Sequence, residues 1–190
     1  MSTKRLFLAI PLDESNLDLC DQFLKIQGAL PVKWVARNNW HITTIFLGDF
    51  PVNQIDKLLA ELQHIFSSQE SFEIEFDKFC LAPDKRNSRM IWAKYQLSPL
   101  FDNLVHDIFS GLKSFYKKER LEFNIKLHKQ NIPHVTLSRL RSKLMKEIKD
   151  YPANLKLKAI SCILFESVLK PDGAQYLIIS EFPLINRPII

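Results

Sequence analysis

Two segments of this chain, HITTIFL at 41–47 and HVTLSRL at 134–140, repeat one arrangement about half the chain length apart. Each alternates apolar and polar side chains at the period of a strand, and residues two apart on a strand share a face. His41 and Thr43 therefore project together from one strand, and His134 and Thr136 from another. Matched positions in two similar stretches indicate an internal duplication that sets two equivalent strands side by side. Connections too short for many parallel crossovers predict largely antiparallel sheets with helices packed outside, an α+β fold. A chain of 190 residues supports one sizeable core, and no linker or low-complexity segment divides it. Residues 1–190 are expected to form a single domain of two similar lobes.

The remaining segments fit that scheme. RLFLAIPL at 5–12 is a short apolar strand, and Leu17, Cys20, Phe23, Leu24 and Gln27 then trace a helix stopped by Gly28 and Pro31. VKWVA at 32–36 and the first histidine segment read as the next strands, followed by a helix over 53–67, which makes the first half βαββα. The second half opens with FEIEF at 72–76, a turn over 84–89 and the strand RMIWAKY. A helix over 98–117 follows, with Leu100, Phe101, Leu104, Val105, Ile108, Phe109 and Leu112 on one stripe. FNIKL at 123–127, the second histidine strand, a short basic helix near 142–149, the apolar run at 155–169 and AQYLIIS at 174–180 complete it.

Composition narrows the function classes. With 46% hydrophobic and 25% charged residues the chain is globular rather than disordered or fibrous, and a net charge of +5 suits an anionic partner. Cys20, Cys80 and Cys162 are odd in number and lie mostly in apolar stretches, so they are expected to be buried thiols of a reducing compartment. The opening apolar run is too short for a secretory signal, and no stretch reaches the roughly 20 apolar residues of a membrane span. A cytoplasmic location follows as the expectation.

Two imidazoles on one substrate divide acid–base labour: the neutral one takes a proton from the attacking group, and the protonated one supplies the leaving group. Two hydroxyls beside them suit the non-bridging oxygens of an anionic tetrahedral centre, with phosphorus the natural candidate. Either motif alone is better explained as a hydrogen-bonded His and Thr in a half-buried sheet, whereas the matched pair favours function. His64, His106 and His128 read as surface residues. The sequence has no H-E-x-x-H, no C-x-x-C, no glycine-rich phosphate loop and no carboxylate cluster beside either histidine, so no metal or cofactor is expected.

HITTIFLG and PHVTLSR resemble the paired H-x-T-x motifs of the two-histidine phosphoesterase superfamily. RLFLAIPL, RMIWAKY and LFESVLKPDGAQY are similar to its bacterial and archaeal branch, the RNA 2′,3′-cyclic phosphodiesterases also called 2′-5′ RNA ligases. The resemblance implies a bilobal, pseudo-twofold fold with both histidines in a central cleft. It also implies metal-independent opening of a terminal 2′,3′-cyclic phosphate to a 2′-phosphomonoester, with reversible 2′-5′ joining as a side activity. His41 and His134 are then catalytic, Thr43 and Thr136 bind phosphate, and His134 is taken as base with His41 as acid. The partners would be RNA ends, tRNA fragments among them, or nucleotide cyclic phosphates, handled by a monomer. Phosphodiesterase action on small cyclic nucleotides or existing 2′-5′ linkages, cleavage of internal RNA, and a non-catalytic RNA-end or nucleotide-binding module are the rival readings.

Two departures from the pattern carry structural expectations. Thr44 stands where an apolar residue is usual, but alternation sends it to the face opposite His41, where it affects packing rather than chemistry. Arg139 matches an arginine after the second motif, yet strict alternation from His134 points it away from the site unless the strand ends or bulges nearby. Phe7, Phe46 and Tyr176 are candidates to stack on a base, and Arg86, Arg89 and Arg139 to meet phosphates; core packing is the competing reading for each aromatic, as for Trp34, Trp40 and Trp92. The basic stretches at 113–129 and 139–150 read either as RNA guides or as solvated surface.

Overall fold

The computed structural model describes residues 2–28, 30–84, 88–140, 147–171 and 173–186. Eight strands form one sheet: β1 (Thr3–Pro11), β2 (His41–Pro51), β3 (Phe72–Ala82), β4 (Met90–Tyr95), β5 (His134–Arg139), β6 (Lys156–Ala159), β7 (Ser161–Lys170) and β8 (Gly173–Pro183). Their order across the sheet is β6-β3-β4-β5-β2-β1-β7-β8, and every neighbouring pair is antiparallel. The helices are α1 (Glu14–Gln27), α2 (Ile55–Phe66) and α3 (Pro99–Lys118). The α+β class, the antiparallel pairing and the outer helices match the expectation from sequence.

The centre of the sheet is its narrowest joint. β2 and β5 share one paired position, Ile42 with Val135, and each of these residues immediately follows its motif histidine. A pseudo-twofold axis through that pair relates four strands on one side, β2-β1-β7-β8, to four on the other, β5-β4-β3-β6. Ile42 and Val135 are fully buried in the main core, so alternation leaves the histidines on the opposite, open face.

The lobes are not the two contiguous halves of the chain. The C-terminal hairpin β7–β8 crosses back to flank β1, because Leu6 through Ile10 are all buried and a strand apolar on both faces needs neighbours on both edges. Helix α1 also crosses. Asp13 caps it by accepting from the Asn16 N–H, and its buried face packs on the far lobe, with Phe23 stacked on Phe79 of β3 at 3.8 Å. Asn16, fully buried, donates to Asp13 and to the Lys156 carbonyl and accepts from the Tyr95 hydroxyl at 2.9 Å. Helices α2 and α3 pack together; Phe66 stacks on Phe182 of β8, and Phe115 lies against Phe50 of β2. Gly111 permits the close crossing, since a Cβ there would meet Ile65 Cδ1 at 2.5 Å.

Several segments differ from the sequence reading. VKWVA is not a regular strand: Trp34 makes a single bridge to Ser138, and the Val35 N–H donates to the Leu137 carbonyl, filling the edge of β5 where β2 diverges. FNIKL has no ladder partner and packs as a loop, with Phe123 against Phe109 and Tyr116 of α3. Leu100 is 56% exposed because Pro99 starts α3 in a register whose buried stripe begins at Phe101. Part of the expected basic helix, 141–146, lies outside the described residues, as do 85–87 of the expected turn and with them Arg86; residues 147–150 are not helical. The three cysteines are free thiols, Cys20 and Cys162 buried and Cys80 half-buried. Among the described residues no helix is long and apolar enough to cross a membrane.

Candidate active site

The two histidines are held in the same way. His41 Nδ1 lies 2.8 Å from the Asn39 carbonyl oxygen and His134 Nδ1 lies 2.8 Å from that of Ile132, in each case two residues upstream. A carbonyl only accepts, so each Nδ1 carries a proton and donates, which leaves Nε2 as the atom that takes or gives protons in both rings. His41 Nε2 is 3.1 Å from Thr43 Oγ1, and the threonine hydroxyl donates to it when the ring is neutral. Continuing the Ile42–Val135 register places His41 across from Thr136 and Thr43 across from His134, so the four side chains share one face of the seam.

Both motif strands then bulge at the same point. Thr44 is skipped in the pairing of β2 with β1, and Leu137 in the pairing of β5 with β4; each is the third residue after its histidine. An extra residue reverses the alternation that follows it. Phe46 and Arg139, each five residues after a histidine, are thereby returned to the open face. This meets the condition under which Arg139 joins the site: it pairs with Met90, its guanidinium contacts Met90 Sδ at 3.8 Å, and its charge is felt at both imidazoles. Thr44 behaves as expected, donating to the Leu8 carbonyl beside buried Cys162.

The surroundings of the histidines differ. His41 sits among aromatic rings, with centroid separations of 4.9 Å to Phe7, 5.2 Å to Tyr176 and 6.0 Å to Phe165. Phe7 is buried yet outside the main core; it pairs directly with Phe46 on one side and Phe165 on the other, and Phe165 pairs with Ile178. An apolar row thus crosses four strands, ending in Phe46 at 60% and Ile178 at 65% exposure. His134 instead lies flat on Trp92 of β4, ring centroids 3.6 Å apart. Arg89 is exposed just before β4, and its carbonyl accepts from the Leu140 N–H at the end of β5.

Electrostatics favours neutral rings at this seam. Burial pushes the His41 pKa down to about 4, with the charges of His134 and Arg139 adding to it and the Asn39 carbonyl opposing it. Burial likewise lowers His134, helped by Arg139 and His128 and opposed by the Ile132 carbonyl. His64, His106 and His128 are exposed, as expected. Among the described residues no three His, Cys, Asp or Glu side chains converge as a metal site requires. Residues that sequence reasoning did not single out include Phe165, whose position in an apolar run gave no sign of its face, and Asn39, which donates to the Ala174 carbonyl of β8 and so ties the turn holding His41 to the last hairpin.

Comparison with known proteins places this geometry. The model of the LigT-like phosphoesterase family matches residues 10–92, a span that includes the first motif. The RNA 2′,3′-cyclic phosphodiesterase of Bacillus subtilis is 30% identical over 135 residues, covering 70% of this chain and 69% of that protein. The chain belongs to the LigT-like phosphoesterase family. The corresponding protein of Methanocaldococcus jannaschii is 28% identical over 94% of this LigT-like phosphoesterase and 99% of its own length. A crystal structure from Thermus thermophilus shares the fold with a TM-score of 0.80 at 24% identity, covering 95% of this chain and 97% of that one.

Proposed function

We propose that this LigT-like phosphoesterase hydrolyses the 2′,3′-cyclic phosphate at RNA 3′ ends to a 2′-phosphomonoester, through His41 and His134 and without a metal ion. The observation that carries this reading is the pair of His-x-Thr strands meeting about a pseudo-twofold axis, each Nδ1 locked and each Nε2 on the open face. One neutral imidazole removes a proton from water as its oxygen bonds to phosphorus. The P–O3′ bond breaks, and the other imidazole, protonated, delivers its proton to O3′. Thr43 and Thr136 donate hydrogen bonds to the non-bridging oxygens, and the Arg139 guanidinium balances the charge that builds on them. Phe7, Phe165 and Tyr176 flank the terminal base, with Phe46 at the exposed end of the row.

Relatives named RNA 2′,3′-cyclic phosphodiesterase in bacteria and archaea support the same substrate class. The same displacement with a 5′-hydroxyl in place of water, again breaking the P–O3′ bond, would give 2′-5′ ligation, and the enzyme is taken to act as a cytoplasmic monomer on RNA fragments such as those of tRNA. The test is incubation with an RNA oligonucleotide ending in 2′,3′-cyclic phosphate, with chelator present, beside a mononucleotide cyclic phosphate and an intact linear RNA. Formation of a 2′-phosphate end is expected. Binding without turnover, or cleavage of the linear RNA, would replace this reading with a binding module or an internal nuclease.

A further inference from the structure

The pseudo-twofold axis makes the two sides of the site comparable position by position, and their chemistries differ. Opposite His41, β1 sets Pro11; opposite His134, β4 sets Lys94. After the shared bulge the first side carries Phe46 paired with Phe7, and the second carries Arg139 paired with Met90. The open face is thus apolar beside His41 and cationic beside His134. Ile91, Ala93 and Tyr95 fill the core, which leaves Lys94 on the histidine face. The cationic row continues outward, because Lys94 pairs in turn with exposed Lys78 of β3, and directly opposed residues share a face. At the spacing of neighbouring strands, Lys94 stands about 5 Å and Lys78 about 10 Å from His134 along this row.

Like charges directly opposed on a ladder repel each other. The neighbouring ladder avoids this: β3 sets Glu73 and Glu75 against Lys158 and Lys156 of β6, with Lys156 Nζ 3.2 Å from Glu73. Between Lys94 and Lys78 the one carboxylate ion-paired among the described residues is Asp77, at the β3 bulge, 3.0 Å from Lys94 Nζ. All three charges are felt at the half-buried Cys80 thiol, so they form one group. Two ammonium groups against one carboxylate leave a net positive charge beside the seam, where a second anion would relieve the repulsion. We propose that Lys94 and Lys78 form a second phosphate subsite, which takes an internucleotide phosphate of RNA while the cyclic phosphate sits between the histidines. This rests on the function proposed above and deepens it, since the subsite tells an RNA end from a mononucleotide. The phosphate has two sources: the substrate's own strand, 5′ to the terminal nucleotide, or a second strand that presents its 5′-hydroxyl for joining.

The test is calorimetric titration at several salt concentrations with ligands that need no turnover. They are a nucleoside 2′-phosphate, a dinucleotide ending in 2′-phosphate, and a 5′-hydroxyl dinucleotide added to protein saturated with the nucleoside 2′-phosphate. Lys94→Met and Lys78→Met keep the apolar stem and remove the charge, and circular dichroism checks that both fold. Each should weaken a dinucleotide roughly tenfold more than it weakens the nucleoside 2′-phosphate, the scale of one charge-assisted hydrogen bond, and reduce the salt slope of that dinucleotide by about 0.7. Asp77→Asn should tighten the same ligand. A response from the 2′-phosphate dinucleotide assigns the subsite to the substrate's own strand, and one from the 5′-hydroxyl dinucleotide assigns it to the joining strand. If neither dinucleotide loses more than the nucleoside 2′-phosphate does, the proposal is overturned. Failure of the wild-type protein to open cyclic phosphates would sink the proposed function separately, because these titrations read binding alone.

Discussion

Lowering the pH should destabilise this protein through His41, and the size of the loss follows from the site. In the unfolded chain a histidine titrates near 6.5, whereas in the folded cleft burial holds His41 down to about 4. Above pH 6.5 the ring is neutral in both states and contributes nothing to the pH dependence. Between the two values the unfolded state binds a proton that the folded state refuses, so stability falls as pH falls and levels off below about pH 4. Integrating from pH 7 to pH 4.5 gives a loss of about 2 kcal/mol from this group, a large part of a typical folding stability. Urea unfolding at several pH values, for the wild-type protein and for His41→Gln, isolates it, since the other titrating groups are common to both. The variant should lose less stability on acidification by about that amount. Parallel pH profiles for the two proteins would refute the claim that burial keeps this ring neutral.

Three further outcomes follow from the same contacts. Tyr95→Phe removes the buried hydroxyl that donates to Asn16 and strands the Asn16 carbonyl oxygen; urea titration should show about 1–3 kcal/mol of destabilisation, with turnover per folded molecule unchanged. Arg139→Ala, at an exposed position, should leave the melting temperature nearly unchanged while lowering kcat/KM roughly ten- to a hundredfold, the usual worth of a charge-assisted hydrogen bond. Gly111→Leu should destabilise by at least about 1–3 kcal/mol through its clash with Ile65, and Ile65→Ala should recover part of that loss in the double variant.

Much of the site was legible because strand alternation is a local signal. His41 with Thr43, and His134 with Thr136, follow from spacing alone, and the buried stripes of α2 and α3 from helical period. What alternation cannot reveal is how strands pair. Arg139 and Phe46 reach the open face through bulges at Leu137 and Thr44, and a bulge exists only relative to a partner strand. The same limit hid the return of β7–β8 to the first lobe and the pairing that sets Phe165 beside Phe7. Asn16 was missed for a different reason: a polar residue near a helix start reads as solvated, and only the packing of α1 against β4 and β6 buries it with its partners. Trp92 read as core because apolar strands normally bury tryptophan, and nothing local announces that a histidine ring, one pair further along the ladder and diagonal to it, stacks on its face.

The most direct test of the central claim, that two motifs from two lobes act on one phosphorus, is a double-variant cycle on cyclic-phosphate-ended RNA with His41→Gln, His134→Gln and both together. Each single variant should lose roughly 10²–10⁴-fold in kcat, and the pair should be no more than about tenfold worse than either, because a donor without its base completes no turnover. Losses that multiply, or a single variant that keeps wild-type activity, would show that the histidines do not work as one acid–base pair.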